Sequence, residues 1–228
     1  MFDKEKHKLI MIRILKDIYS DNSLGKILGF KGGTMAYLFY DLPRESVDLD
    51  FDLLDKSQEE IVFEKVKTII SKQGKIVESI IKKNTIFFLL DYGFEERKLK
   101  IEITRNKTDT KFEVKNYLGI SMLTMSRSAM VSCKLLALAT RTKMANRDVF
   151  DVWYFLKNNW EIDNEVIKNK GKSNINEIIK KSINRIEKIK DNEILFGLGD
   201  LLTNSNKDWV KNNLKTETLL ELKMRLEK

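Results

Sequence analysis

One cysteine and one histidine are all that this 228-residue chain carries of the side chains most used for disulfide, zinc and triad chemistry. Cys133 alone cannot close an internal disulfide, and its place beside Lys134 in an apolar helical run suits a packed thiol better than a nucleophile. With His7 as the only imidazole, a histidine zinc site or a Ser-His-Asp triad has no material, so acid–base work falls to carboxylates and lysines. No apolar run approaches the length of a membrane span, and the opening residues, charged from Asp3 to Lys8, lack a signal-peptide core. The expected location is the cytoplasm, with no membrane partner. Internal repeats and low-complexity linkers are also missing.

What is present is charge. The chain is 42% hydrophobic and 33% charged, ordinary for a protein with a substantial core, but its net charge is +8. The excess sits between Phe94 and Arg147, where Arg97, Lys98, Lys100, Arg105, Lys107, Lys111, Lys115, Arg127, Lys134, Arg141, Lys143 and Arg147 outnumber the acids. From Glu161 onward the two signs nearly balance. Such a distribution points to a polyanionic partner such as RNA, although lysine-rich proteins that bind no nucleic acid share it.

Lys31-Gly32-Gly33-Thr34, followed after a short helical stretch by Asp48-Leu49-Asp50-Phe51-Asp52, is the most specific pattern. A strand turns alternate side chains to opposite faces, so the three aspartates share one face and Val47, Leu49, Phe51 and Leu53 the other. Like charges this close repel, and a hard divalent cation such as Mg²⁺ would relieve them. Gly32 and Gly33 let the backbone approach a triphosphate with its N–H groups, and Thr34 adds a hydroxyl. The competing reading is a tight turn followed by a solvated acidic strand.

Two later segments extend the pattern. In Leu99–Thr104 the apolar Leu99, Ile101 and Ile103 leave Lys100, Glu102 and Thr104 on the opposite face, which offers Glu102 as a third carboxylate or as a solvent-facing partner of lysine. Helical spacing puts Arg127, Lys134 and Arg141 on one stripe of a run rich in Leu, Ala and Met. Lys134 there is either a ligand group or a lysine snorkelling from a core helix. In Arg147-Asp148-Val149-Phe150-Asp151 the two aspartates lie one turn apart, and acids in a first helical turn also favour the helix dipole. Phe150, Trp153 and Tyr154 at helical spacing read as core.

The Gly-Gly turn with its acidic strand resembles the nucleotidyltransferase superfamily typified by DNA polymerase β. The longer string from Gly29 to Tyr37 and from Arg44 to Phe51 looks like its AbiEii/AbiGii branch, the nucleotidyltransferase toxins of type IV toxin–antitoxin and abortive-infection systems. The resemblance reaches to about Phe155. It implies that Asp48 and Asp50, with Glu102, hold Mg²⁺ or Mn²⁺, and that Gly32, Gly33 and Thr34 cradle a nucleoside triphosphate. It further implies that Lys134 contacts the phosphates and that Glu102 or Asp148, with Asp151 second to Asp148, positions or deprotonates the acceptor hydroxyl. The implied acceptor is the 3′ end of tRNA, the outcome growth arrest, and the partner an antitoxin. An acceptor hydroxyl on a protein or on an aminoglycoside-like molecule, or a binding role without catalysis, are the alternatives.

The expected architecture is α+β, a polymerase-β-like lobe with a mixed sheet (1–119) followed by an all-helical lobe (120–228), with the nucleotide between them. Helices are expected over Glu5–Tyr19, Thr34–Tyr40 and from a Ser57 cap to about Lys72. Strands are expected over Lys26–Phe30, Val47–Leu54, Lys75–Ile81, Thr85–Asp91 and Lys98–Thr104, with turns near Asn84 and Gly93. From Ser121 the pattern reads as helical throughout, most clearly at Ile175–Ile189 and Thr216–Leu226.

Overall fold

Alternating apolar side chains build the sheet that carries the acidic face. The computed structural model describes residues 3–93, 97–106 and 110–226. Lys107 and Phe94, part of the expected basic stretch, lie outside them. The strands are β1 (Leu28–Lys31), β2 (Asp48–Leu53), β3 (Lys75–Ile81), β4 (Thr85–Asp91), β5 (Leu99–Thr104), β6 (Phe112–Tyr117) and β7 (Ile120–Met125), in the order β3-β4-β5-β2-β1-β7-β6. The sheet is mixed: β2 runs parallel to β5 and β1 to β7, while the other neighbours are antiparallel.

Leu49 and Phe51 of β2, Ile86, Phe88 and Leu90 of β4, and Leu99, Ile101 and Ile103 of β5 are all buried on one face. Helix α1 (Lys4–Ser20) is capped by Asp3, which accepts from Lys6 N at 3.0 Å, and it buries Ile10, Met11, Ile14, Leu15 and Ile18 at three- and four-residue steps. Helix α4 (Glu59–Ser71) buries Val62, Val66, Ile69 and Ile70, and its Phe63 ring stacks on Phe88 at 5.3 Å. These helices touch each other and the sheet, so the apolar face is covered and the acidic face is the opposite one. Between them in the chain come α2 (Leu24–Ile27) and α3 (Gly32–Phe39).

Gly29 of β1 lies against the ring of Phe112, which a Cβ would overlap. Gly29→Ala should therefore destabilise by about 1–3 kcal/mol through overpacking, read as a shift of the denaturation midpoint; an unchanged midpoint would mean that Phe112 moves freely aside.

The chain forms two compact units. The first comprises Met1–Asp41, Ser46–Thr108 and Phe112–Met125; the second comprises Leu42–Glu45, Asp109–Lys111 and Ser126–Lys228. In the second, α5 (Arg127–Thr140), α6 (Asn146–Lys157), α7 (Asn164–Gly171), α8 (Ile175–Glu187), α9 (Asn204–Trp209) and α10 (Lys215–Leu226) pack around Leu135, Phe150, Phe155, Ile179 and Leu222. Phe150 and Trp153 are core residues as expected, and Trp153 packs on Trp209 with 4.2 Å between ring centres.

Three expectations are corrected. Residues Ser121–Met125 are strand, because β6 and β7 form a hairpin, and the expected boundary at Gly119 falls on its two-residue turn. Residues Leu24–Ile27 form a helical turn, so the first strand starts only at Leu28. The cap before α4 is Asp55, whose carboxylate accepts from Ser57 N at 3.0 Å and from the Ser57 hydroxyl at 2.6 Å, over a short 3₁₀ turn.

Candidate active site

The β2–β5 register sets Asp50 directly beside Glu102, with Asp48 two residues along the same face, opposite Lys100. On the other side of β2, Lys31 is the antiparallel partner of Asp50. Lys31 turns instead to the third aspartate, donating to Asp52 and, at 2.8 Å, to the Thr104 hydroxyl. Asp52 is buried and its charge is met by Lys31, so the alternating acids divide into an inner, neutralised Asp52 and an outer pair, Asp48 and Asp50, next to Glu102.

Gly32 opens α3 at φ +82°, a left-handed conformation that glycine adopts without strain, and a Cβ there would overlap the Asp50 carboxylate. The turn and the acid thus need each other's shape. Thr34, expected as a phosphate donor, is fully buried. Its hydroxyl donates to the carbonyl oxygen of Asp48 and lies 2.9 Å from the Ser46 hydroxyl, which fastens α3 to the start of β2. The preceding carbonyl, Val47 O, accepts from His7 Nε2 at 2.9 Å, and His7 Nδ1 meets the Tyr92 hydroxyl. The lone histidine therefore helps hold the backbone leading into Asp48, a role that sequence spacing gave no sign of.

A second constellation lies within the helical unit. Lys134 of α5 reaches Asp148 at 2.8 Å and Asp151 at 2.7 Å, both on α6 and both buried. Arg141, the residue that ends α5, binds the other Asp148 oxygen at 2.6 Å. Arg44 grips Asp151 through two parallel bonds of 2.6 and 2.7 Å. Burial alone would raise the Asp151 pKa, but the Arg44 and Lys134 charges outweigh it and hold it at about 2. Burial likewise pulls the Lys134 pKa down, and the facing Asp151 and Asp148 carboxylates more than reverse it, so the ammonium stays charged. Three cations meet two carboxylates, leaving one positive charge in excess.

The first-unit candidates Gly32, Gly33, Thr34, Asp48, Asp50 and Glu102 come together around the ends of β1, β2 and β5. Lys134, Asp148 and Asp151 come together in the second unit. Arg127, the third member of the expected stripe, lies over the Trp160 ring instead. The basic run is partly neutralised, since Arg105 pairs with Glu59, Lys111 with Glu165 and Lys115 with Glu113. Arg44 was missed as a member of the cluster: its partner Asp151 is 107 positions away, and no spacing rule links them.

A glycine turn that opens a helix beside an alternating acidic strand, with a further acid on the neighbouring parallel strand, is the arrangement that the nucleotidyltransferase resemblance implies. A family description, "Nucleotidyl transferase AbiEii toxin, Type IV TA system", matches residues 13–214. The chain belongs to this AbiEii family of nucleotidyltransferase toxins. No curated protein matches it. Among solved structures it is similar to JHP933 from Helicobacter pylori, with 20% identity, 98% of this chain and 93% of that chain covered, and a TM-score of 0.63. A second H. pylori chain, provisionally named a nucleotidyltransferase, gives 21% identity, 98% and 96% coverage and a TM-score of 0.64. MenT4, a nucleotidyltransferase toxin of Mycobacterium tuberculosis H37Rv, gives 13% identity, 96% and 85% coverage and a TM-score of 0.59. At these identities the likeness is one of fold.

Family membership brings a nucleoside triphosphate, a divalent metal ion and an antitoxin into consideration. Among the described residues no three His, Cys, Asp or Glu side chains are gathered closely enough to hold a metal ion, so the expected set Asp48, Asp50 and Glu102 is not a closed cage. The donors still fit: all are hard oxygen ligands, and Mg²⁺ commonly takes one or two carboxylates plus substrate phosphates. The side chain that Gly32 lacks makes the room that the Asp50 carboxylate occupies. No helix among the described residues is long and apolar enough to cross a membrane.

Proposed function

We propose that the protein transfers a nucleoside monophosphate from a nucleoside triphosphate to the 3′ end of a tRNA, releasing pyrophosphate and arresting growth until an antitoxin intervenes. The observation that carries the reading is the register placing Asp50 beside Glu102 and against the side-chain-free Gly32. Asp48 and Asp50 would hold Mg²⁺, or Mn²⁺ in its place, which when bound offsets charge building on the triphosphate. Thr34 and His7 keep the carbonyls on either side of the Asp48 peptide fixed, so the carboxylate is positioned before substrate arrives. Glu102 orients the acceptor hydroxyl and takes its proton.

Lys134 binds the triphosphate. An ammonium has three N–H donors, and two are engaged by Asp148 and Asp151, which leaves one for a phosphate oxygen. Asp148 and Asp151 act through Lys134 and are positioning residues. The whole reaction then runs in the cytoplasm on soluble substrates.

The test is incubation with total tRNA, Mg²⁺ and each α-labelled nucleoside triphosphate in separate tubes, followed by a denaturing gel. Label in the tRNA band with one or two of the four is the expected result. Label confined to protein, or transfer only to an added aminoglycoside, would overturn the RNA acceptor and keep the transferase.

A further inference from the structure

The second unit holds a cavity of about 380 Å³ apart from the Lys134 cluster, lined by Met144 just before α6 and Asn146 that opens it, Arg185 of α8 with Lys188 and Ile189 just beyond that helix, and Glu193 and Phe196. Its chemistry is unusual for a gap between helices. Phe196 is 74% exposed, in the turn next to Gly197, which has φ +67°. A large aromatic left in water next to a concavity calls for an explanation in a way that a buried one does not.

Met144 and Ile189 give the cavity an apolar part, and its polar walls are held in place. Arg185 donates to the carbonyls of Ala139 at 3.3 Å and Arg141 at 2.6 Å, which fixes the guanidinium across the end of α5. Asn146, nine-tenths buried, donates through Nδ2 to the carbonyls of Glu193 at 2.6 Å and Phe196 at 3.4 Å. This fixes the amide orientation of a residue that lines the cavity and leaves Oδ1 as its acceptor end. Lys143 stands 5.9 Å from the centre of the Phe196 ring, and Lys188 lines the wall. The lining thus carries two cations, Arg185 and Lys188, and one carboxylate, Glu193, with Lys143 as a third cation beside the Phe196 ring.

An exposed ring, a fixed acceptor and a surplus of cations match one ligand chemistry, an unpaired nucleotide whose base stacks while its phosphate is neutralised. The cavity also connects to the phosphate-binding cluster by short steps. The Arg141 carbonyl receives Arg185 while the Arg141 side chain holds Asp148, and Asn146 is two residues from Asp148 on α6. We propose that this cavity is a nucleotide subsite for single-stranded RNA, seating one unpaired base of the acceptor strand on Phe196, with Asn146 Oδ1 accepting from the base and Lys143 and Lys188 meeting the backbone. It rests on the reading of RNA as acceptor and specifies where the RNA is held.

The experiment measures anisotropy of a labelled single-stranded RNA against the full chain, for wild type, Phe196→Ala and Lys188→Gln, alongside tRNA labelling kinetics. Phe196→Ala should weaken binding about tenfold without changing its salt dependence, because a stacking contact and not a charge is lost. Lys188→Gln should lower the slope of log affinity against log salt by about 0.7, one phosphate contact. In tRNA labelling, Phe196→Ala should raise KM with kcat kept. Equal RNA affinity for wild type and Phe196→Ala, or a mononucleotide competing as well as the RNA does, overturns the subsite. The two readings fail separately. tRNA labelled with an unchanged KM in Phe196→Ala removes the subsite and keeps the acceptor, whereas Phe196-dependent RNA binding with label only in protein removes the acceptor and keeps the subsite.

Discussion

Asp50→Asn should lower nucleotide transfer by about a thousandfold or more, while the protein stays folded. The loss follows from removing one of two metal-binding carboxylates, since metal stabilisation of the transferring phosphoryl is worth several kcal/mol and each ~1.4 kcal/mol is tenfold in rate. Asp50 stands beside Glu102 and Lys31 in the register, and Asn keeps the volume that fits against Gly32, so the fold is kept. Asp48→Ala should lose transfer to the same degree. A readout independent of turnover is thermal stabilisation by Mg²⁺ with a non-hydrolysable triphosphate, expected for wild type and absent in Asp50→Asn. Near-wild-type transfer in either variant would sink the assignment of these acids.

The second large effect concerns stability. Asp151→Asn should destabilise the protein by about 3–5 kcal/mol, the usual cost of removing one partner of a buried ion pair. Arg44 and Lys134 would lose the carboxylate that each contacts, and the Arg44 side chain is 2% exposed, so water cannot take its place. Arg44→Met should be milder, because the Asp151 carboxylate that remains keeps Lys134 as its partner at 2.7 Å. The pH dependence has a definite sign. Asp151 is depressed to about 2 from 3.8, so its contribution is present above the unfolded value and is lost as pH falls through about 4 to 2. At about 1.4 kcal/mol per pKa unit this amounts to roughly 2 kcal/mol. Lys134 is raised, so its contribution is complete below its unfolded value and fades only at strongly alkaline pH. Denaturant titrations between pH 7 and 2 should show the gap between wild type and Asp151→Asn narrowing below pH 4. A constant gap would show that the network does not carry the acid sensitivity.

The second effect also bears on the course of the chain. Leu42–Glu45, the link between the glycine-turn helix and the acidic strand, belongs to the helical unit. Arg44 on Asp151, Glu45 N on Leu201 O at 2.8 Å and Asn206 on Pro43 O at 3.0 Å hold it there. Weakening Asp151 therefore loosens the segment that leads into Asp48, and some loss of transfer should accompany the loss of stability.

Local pattern determined much of this protein. Period-two alternation marked β2, β4 and β5 because one face of each packs under helices and the other does not, and it placed Asp48, Asp50 and Glu102 on one side before any fold was known. The Gly32 turn was legible because few other residues tolerate its backbone. The β6–β7 hairpin was not. Ile120–Met125 is rich in Met and Leu, which favour helices, and the turn uses Leu118 at φ +49° where asparagine would have announced it. Tertiary pairing overrode that local preference.

The tertiary structure alone decided the pairings. That Lys31 neutralises Asp52 and leaves Asp48 and Asp50 as the outer pair, that Thr34 turns inward to the backbone, and that His7 holds Val47 depend on neighbours brought together by sheet register and helix packing. Arg44 and Asp151 carry no shared motif; they meet because folding excludes water from both and each then requires the other's charge. Sequence determines which side chains share a face, since that is fixed by the backbone period. Which faces meet is set by burial over the whole chain, and so the partners of the charged residues become visible only in the folded molecule.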